Sequence, residues 1–268
     1  MSSAPPVTAA SLLKMKRQGE KIAALTCYDA SFTQVLEAAG IEVLLVGDSL
    51  GMVVQGRDST LPVRVGDMVY HSRLVSRARR RALVVTDMPF LSYASPEQAL
   101  ATAARLMKQG GAQMVKLEGG AEQVETVRRL HAAGVPVCAH LGLLPQSVHK
   151  LGGYRVQGRD EASAQSLRQD ALALQDAGAR MLVVECIPAA LASEVSASLE
   201  IPVIGIGAGS GCDGQVLVLY DMLGITPGKR PSFVQDFLAP ADGVEQAVAA
   251  YVQAVKRGAF PTREQSFD

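Results

Sequence analysis

The sequence predicts an α/β fold, a (β/α)8 TIM barrel with an N-terminal helix ahead of the first strand, on three observations. Short apolar runs alternate with helical patterns along most of the chain. The runs carry little polar alternation, which marks strands buried on both faces of a parallel sheet. The length, 268 residues, suits one barrel of about 250 residues, so a single domain over 1–268 is expected.

In chain order, Thr8 to Gln18 reads as the leading helix, and the first two strands as Ile22 to Cys27 and Val43 to Val46. The third is Ala82 to Thr86. After it, Ser95-Pro96-Glu97-Gln98 offers an N-cap serine, proline at N1 and glutamine at N3. Leu100, Ala103, Ala104 and Met107 follow as the expected apolar stripe, closed by Gly110-Gly111. Met114 to Leu117 is the fourth strand. Glu122 to Ala133 is the next helix, with Val124, Val127 and Leu130 on one face. Val135 to Ala139 is the fifth strand, Ser163 to Ala177 a helix, Met181 to Val184 the sixth strand and Pro202 to Ile206 the seventh.

An eighth strand falls in Gln215 to Leu219, although Val216 to Tyr220 also reads as helical. With that strand the count closes a barrel; without it an open doubly wound sheet remains. Gly243 to Arg257 is a final helix with Val244, Ala247, Val248, Tyr251 and Val252 as its stripe. Alternating strands and helices mean parallel strands joined by crossovers. The long connections Ser49 to Gly66 and Leu141 to Ala162 follow strand C-terminal ends, where barrel enzymes build their sites.

Composition narrows the function classes. Lys plus Arg and Asp plus Glu are 26 each, so the net charge is zero and nothing points to nucleic acid or a membrane surface. Cys27, Cys138, Cys186 and Cys212 show no zinc-ligand spacing and read as buried reduced thiols. Met1 to Thr8 has no signal-peptide pattern, and no apolar stretch approaches the roughly 18 residues of a membrane span. A cytoplasmic location is expected.

Ionisable residues close five consecutive strands: Asp48 and Ser49 the second, Asp87 the third, Lys116 and Glu118 the fourth, His140 the fifth, Glu185 the sixth. Singly, each has an ordinary reading: an Asp as helix N-cap, a Glu in solvent, a His in the core, a Lys at the rim. Together they put four carboxylates and a lysine at one mouth. Lys116 and Glu118 are two apart and share a strand face. Converging carboxylates call for a cation, and their oxygens suit Mg²⁺ better than zinc.

Other features weigh less. Ile204-Gly205-Ile206-Gly207-Ala208-Gly209 lacks the third glycine of a dinucleotide fingerprint, because Ser210 stands there. Close approach to a ligand or neighbouring loop is expected of it ahead of phosphate binding. Arg77, Arg79, Arg80 and Arg81 read as the solvated end of a helix, and His71, His131 and His149 have no assignment.

Val46-Gly47-Asp48-Ser49-Leu50-Gly51-Met52, Thr86-Asp87-Met88-Pro89-Phe90, Val115-Lys116-Leu117-Glu118-Gly119-Gly120, His140-Leu141-Gly142-Leu143, Gly152-Gly153-Tyr154-Arg155-Val156-Gln157-Gly158-Arg159 and Glu185-Cys186-Ile187-Pro188 resemble the ketopantoate hydroxymethyltransferase family. So do Asp58-Ser59-Thr60-Leu61-Pro62, the seventh-strand glycines and Asp213-Gly214-Gln215-Val216-Leu217-Val218. The resemblance runs from about Leu12 to Pro240, with Arg57 and Ala139 as small departures. It implies a Mg²⁺-dependent homodecamer that converts 3-methyl-2-oxobutanoate and 5,10-methylenetetrahydrofolate into 2-dehydropantoate for pantothenate synthesis.

With that resemblance, Asp48, Asp87 and, through water, Glu118 are expected at the metal. Asp48, Ser49, Asp87, Lys116 and His140 are expected at the substrate, with His140 alternatively assisting water. Glu185, walled off among apolar side chains, is expected as the base that removes the C3 proton. Alternatives are a Schiff base on Lys116, another Mg²⁺-enolate lyase or mutase acting on a 2-oxo acid, and a non-catalytic 2-oxo acid binding barrel.

Overall fold

The computed structural model describes residues 5–226 and 230–268; the first four residues of the Met1 to Thr8 stretch lie outside it. In chain order the elements are α1 (Ala9–Arg17), β1 (Ile22–Thr26), α2 (Ala30–Ala39), β2 (Val43–Val46), α3 (Leu50–Val53), α4 (Val65–Ala78) and β3 (Leu83–Asp87). Then come α5 (Pro96–Lys108), β4 (Met114–Glu118), α6 (Val124–Ala132), β5 (Val137–Gly142), α7 (Val148–Leu151), α8 (Glu161–Asp176) and β6 (Met181–Glu185). The last are α9 (Ala189–Ser198), β7 (Val203–Ile206), β8 (Gly214–Leu217), α10 (Leu219–Met222) and α11 (Val244–Lys256).

The eight strands form a closed parallel barrel in sequence order, and β1 pairs with β8 through Ile22↔Gly214 to Leu25↔Leu217. This decides between the barrel and the open sheet. The ambiguous segment around Val216 contains both elements, a strand and then a one-turn helix.

Side chains alternate across each strand, and one parity fills the barrel. Ile22, Ala24, Val43, Leu45, Leu83, Val85, Met114, Cys138, Met181, Val183, Ile204 and Val216 form that interior. Val7 and Leu12 of the leading segment join it from the N-terminal end of the strands. There Lys16 Nζ is tied to the Ile201 carbonyl at 2.9 Å and to Asp213 Oδ2 at 2.8 Å. The helices pack outside. On α11 the Tyr251 hydroxyl, buried, donates across the β1–β8 seam to the Ala24 and Gln215 carbonyls at 2.9 and 3.0 Å.

Three expectations need correction. First, β3, β4, β5 and β6 run further than the apolar runs, so Asp87, Glu118, His140 and Glu185 are strand residues and do not follow their strands. Ladder partners hold them there: Asp87↔Lys116, Glu118↔His140, Gly142↔Glu185 and Glu185↔Ile206. Second, β5 begins at Val137, because Pro136 has no N–H to give the ladder. Third, the buried face of α5 is Ala99, Thr102, Ala103 and Leu106, one residue before the expected stripe, and Ala104 is exposed. Thr102 belongs to that face because its hydroxyl donates to the Ser92 carbonyl at 2.6 Å.

The arginine run behaves as read: α4 ends at Ala78, and the Glu37 carboxylate accepts the N–H groups of Arg80, Arg81 and Ala82. The four cysteines are free and buried.

Candidate active site

The site continues the interior parity of the barrel by one or two more residues. Counting in twos, Val85 leads to Asp87, Met114 to Lys116 and Glu118, Cys138 to His140, and Val183 to Glu185. Each polar side chain therefore stands on the column that fills the barrel below it. Lys116 lines, with Ala24, Val43, Leu45, Met181, Val183, Ile204 and Val216, a small apolar void in that interior.

Asp48 comes from the turn after β2, where its N–H donates to Asp87 Oδ2 at 3.0 Å. Asp87 Oδ1 faces Lys116 Nζ at 2.7 Å, an ion pair whose angle leaves that oxygen without a well-aligned donor. Ser49 Oγ lies 2.9 Å from the Tyr28 hydroxyl, and His71 Nδ1 is 2.7 Å from the Tyr28 carbonyl oxygen. Glu118 Oε1 is 3.5 Å from His140 Nδ1, and Glu185 Oε2 is 3.2 Å from His140 Nε2.

Gln146 closes the circuit from the long loop after β5. Its Nε2 donates to Asp48 Oδ2 at 2.8 Å and to the Met88 carbonyl at 2.9 Å, while its own N–H donates to Glu118 Oε2 at 3.0 Å. The Tyr93 hydroxyl donates to Gln146 Oε1 and accepts the Glu118 N–H. All the residues expected at the site from sequence thus lie in or beside one network. Sequence reasoning missed Gln146, Tyr93 and Tyr28. The length of the Leu141 to Ala162 loop marked its function but gave no reason to choose Gln146 within it.

Burial sharpens the electrostatics. Asp48, Asp87, Lys116, Glu118 and His140 are each at most 5% exposed. Burial, then Asp87 and Glu118, hold the Asp48 carboxyl well above the usual carboxylate range. Burial pulls the Lys116 ammonium down, but Asp87, Glu118 and Asp48 outweigh it, and it titrates above the ordinary lysine value. For His140, burial and Lys116 act downward, yet the flanking Glu118 and Glu185 win and push the imidazole up to about 9. One expectation fails here: Glu185 is not walled off by apolar groups alone, because it faces His140 and its side chain stays 14% exposed.

Among the described residues, no three His, Cys, Asp or Glu side chains gather tightly enough to cage an ion by themselves. The chemistry still suits a hard cation. Asp48 and Asp87 offer oxygen donors in a buried site with excess negative charge: burial and then the Asp87 and Glu118 carboxylates drive Asp48 upward by more than Lys116 and Gln146 draw it down. Mg²⁺ takes one or two protein carboxylates and fills its remaining positions with water or substrate. Both Glu118 oxygens already face other groups, which leaves that residue the outer place.

Beside the network, Phe90, Leu91, Tyr93, Gln123, Leu144 and Ser147 line an open cleft of about 170 Å³ that reaches Glu118 and Gln146. The seventh-strand glycines make the close approaches expected of them. A side chain at Gly207 would press on Phe233 and Phe267, at Gly209 on Ala189, and at Gly211 on Ser193.

Comparison with known proteins identifies the family and the fold. The family model described as ketopantoate hydroxymethyltransferase matches residues 6–263. A 3-methyl-2-oxobutanoate hydroxymethyltransferase of Nitrosococcus oceani is 62% identical over 261 residues, covering 97% of this chain and 99% of that protein. One from Halorhodospira halophila is 57% identical, covering 100% of this chain and 97% of its own length. Among solved structures, phosphoenolpyruvate phosphomutase from Streptomyces platensis subsp. rosaceus superposes with TM-score 0.62 at 12% identity, over 81% of this chain and 82% of that one. A phosphonopyruvate hydrolase complex with oxalate and Mg²⁺ gives 0.59 at 10% identity, over 79% and 80%. Those two share the fold; the sequence relatives carry the identity. The chain belongs to the ketopantoate hydroxymethyltransferase family, enzymes that form ketopantoate in pantothenate synthesis.

Proposed function

We propose that this one-domain barrel adds the one-carbon unit of 5,10-methylenetetrahydrofolate to C3 of 3-methyl-2-oxobutanoate with the aid of Mg²⁺. The observation that carries the reading is the buried circuit Asp48–Asp87–Lys116 joined through Gln146 to Glu118–His140–Glu185. Asp48 and Asp87 would hold the metal directly and Glu118 through water. Bound there, Mg²⁺ would supply the Lewis acidity that stabilises negative charge on the 2-oxo oxygen. Ser49 and the Lys116 ammonium hold the substrate carboxylate and keto group.

Glu185 accepts the C3 proton. His140, with Glu118 beside its Nδ1, shares its Nε2–H between the Glu185 carboxylate, whose direction it sets, and the substrate. The C3 carbon then bonds to the methylene carbon as one methylene–nitrogen bond of the folate breaks, its electron pair staying on that nitrogen. Water replaces the second nitrogen, supplying the hydroxyl oxygen of the product, and tetrahydrofolate leaves with both nitrogens protonated. The second substrate approaches through the open cleft beside Glu118, whose Leu144, Gln146 and Ser147 wall comes from the long loop. Holding both reactants removes part of the entropic barrier. Lys116 does not form a Schiff base in this reading, because a protonated amine paired with Asp87 is no nucleophile. The enzyme works in the cytoplasm as a homodecamer of barrels.

Solvent deuterium exchange at C3 of 3-methyl-2-oxobutanoate tests the proposal. Exchange should require Mg²⁺ and proceed without folate, whereas ketopantoate should form only when the folate is present. Exchange independent of metal, or a borohydride-trapped adduct on Lys116, overturns it.

A further inference from the structure

We infer that the chain end from Gln265 to Phe267 is a positioning strap for Glu185, acting through the turn that follows β6. The inference rests on the reading of Glu185 as base. Glu185 sits at the end of β6, paired with Ile206 of β7. The next residue, Cys186, is buried and adopts φ +47°, a left-handed backbone uncommon for a side chain with a Cβ. Such a conformation persists only where its surroundings impose it.

Three segments impose it here. The Cys186 N–H donates to the Ile206 carbonyl at 2.9 Å, and the Cys186 carbonyl accepts the Gln157 N–H at 2.9 Å. The third restraint comes from the far end of the sequence. Phe267 forms a parallel bridge to Pro188, and its carbonyl accepts the Ala189 N–H at 2.9 Å. The Phe267 ring packs edge-on against Phe233, with centroids 6.4 Å apart. Gly207, at the end of β7, lacks the side chain that would displace both rings. The Thr262 carbonyl accepts from Ser266 Oγ at 2.7 Å, which fixes the approach of the strap. The partners of Ser266 and Phe267 are Pro188, Ala189, Phe233, Thr262 and Arg263, so the strap bears on the turn beside Glu185, at the base end of the network.

The consequence is a separation of binding from proton removal. Releasing the strap frees the 186–189 turn, and a misplacement near 1 Å of a catalytic group lowers rate by up to about a hundredfold. Truncation after Ser266 removes both the backbone bond and the ring, and Phe267→Ala removes the ring alone. We expect C3 deuterium exchange to slow about tenfold or more on truncation and by less in Phe267→Ala. The half-saturating concentrations of Mg²⁺ and 2-oxo acid should stay within about twofold, and Phe267→Leu should restore much of the rate.

Amide hydrogen exchange should quicken at residues 186–189 and stay unchanged on β3 and β4. An unchanged C3 exchange rate on truncation overturns the inference, as does equal weakening of metal and substrate binding in both variants. Glu185→Gln run alongside separates the two claims. If that variant still exchanges C3, the base assignment fails, while faster amide exchange confined to 186–189 still reports the strap.

Discussion

His140 Nε2 lies 3.2 Å from Glu185 Oε2, and its Nδ1 lies 3.5 Å from Glu118 Oε1, so one buried imidazole stands between the carboxylate proposed as base and the one that Gln146 ties to Asp48. Neither ring nitrogen is well aligned for hydrogen bonding. Catalytic hydrogen bonds are often loose before substrate arrives and tighten in the complex. The bridge gives the two halves of the site a shared, adjustable joint.

Glu185→Gln removes the proton acceptor while keeping size and hydrogen-bonding capacity. C3 exchange should fall by about 10² to 10⁴. Mg²⁺ and 2-oxo acid binding, followed calorimetrically, should persist. Wild-type exchange in this variant assigns the base elsewhere.

Asp87→Ala should act twice. It takes away a proposed metal ligand, and it strands Lys116 buried without its ion-pair partner at 2.7 Å. Losing one member of a buried pair costs about 3–5 kcal/mol, so the urea midpoint should drop along with Mg²⁺ affinity. A variant with normal metal titration removes Asp87 from the coordination shell.

Gln146→Leu keeps the volume but deletes the amide that donates to Asp48 Oδ2 and the Met88 carbonyl. Partners that orient metal ligands are worth about 10–100-fold in affinity or activity. Mg²⁺ half-saturation should rise within that range; unchanged values would reduce Gln146 to a loop anchor.

Gly142→Ala tests the backbone beneath Glu185. Gly142 has φ +93°, and a Cβ there would collide with the Glu185 carbonyl oxygen. Left-handed strain alone costs about 1–3 kcal/mol. Stability and C3 exchange should fall together, and a variant as stable as the parent would contradict the geometry.

The thiols should be silent in the native enzyme. Burial pushes Cys27 up to about 11 and Cys138 and Cys212 each to about 12, and raises Cys186 as well. Only the thiolate reacts. An aromatic disulfide reagent at pH 8 should label none quickly and all four after denaturation. A fast-reacting thiol in the native protein would locate an opening absent from this structure.

What the amino-acid sequence determined by itself was the set of buried strands and the chemistry at their ends. Val, Ile and Leu runs between amphipathic helices leave little choice but parallel strands and crossovers, and alternation commits Lys116 and Glu118 to one face. The family motifs carried the substrate, which no periodicity encodes. Closure, register and partnership were decided in three dimensions. Whether Val216 lies in a strand depended on Ile22 to Leu25 being there to receive its ladder. Glu185 met His140 because of the β5–β6 stagger, and a one-residue slip would turn the pair apart. Gln146 and Tyr93 joined the network from loops, where local sequence is permissive and position is set by whatever packs on it. Strand chemistry is local and therefore legible; contacts between distant segments form only when the chain closes on itself.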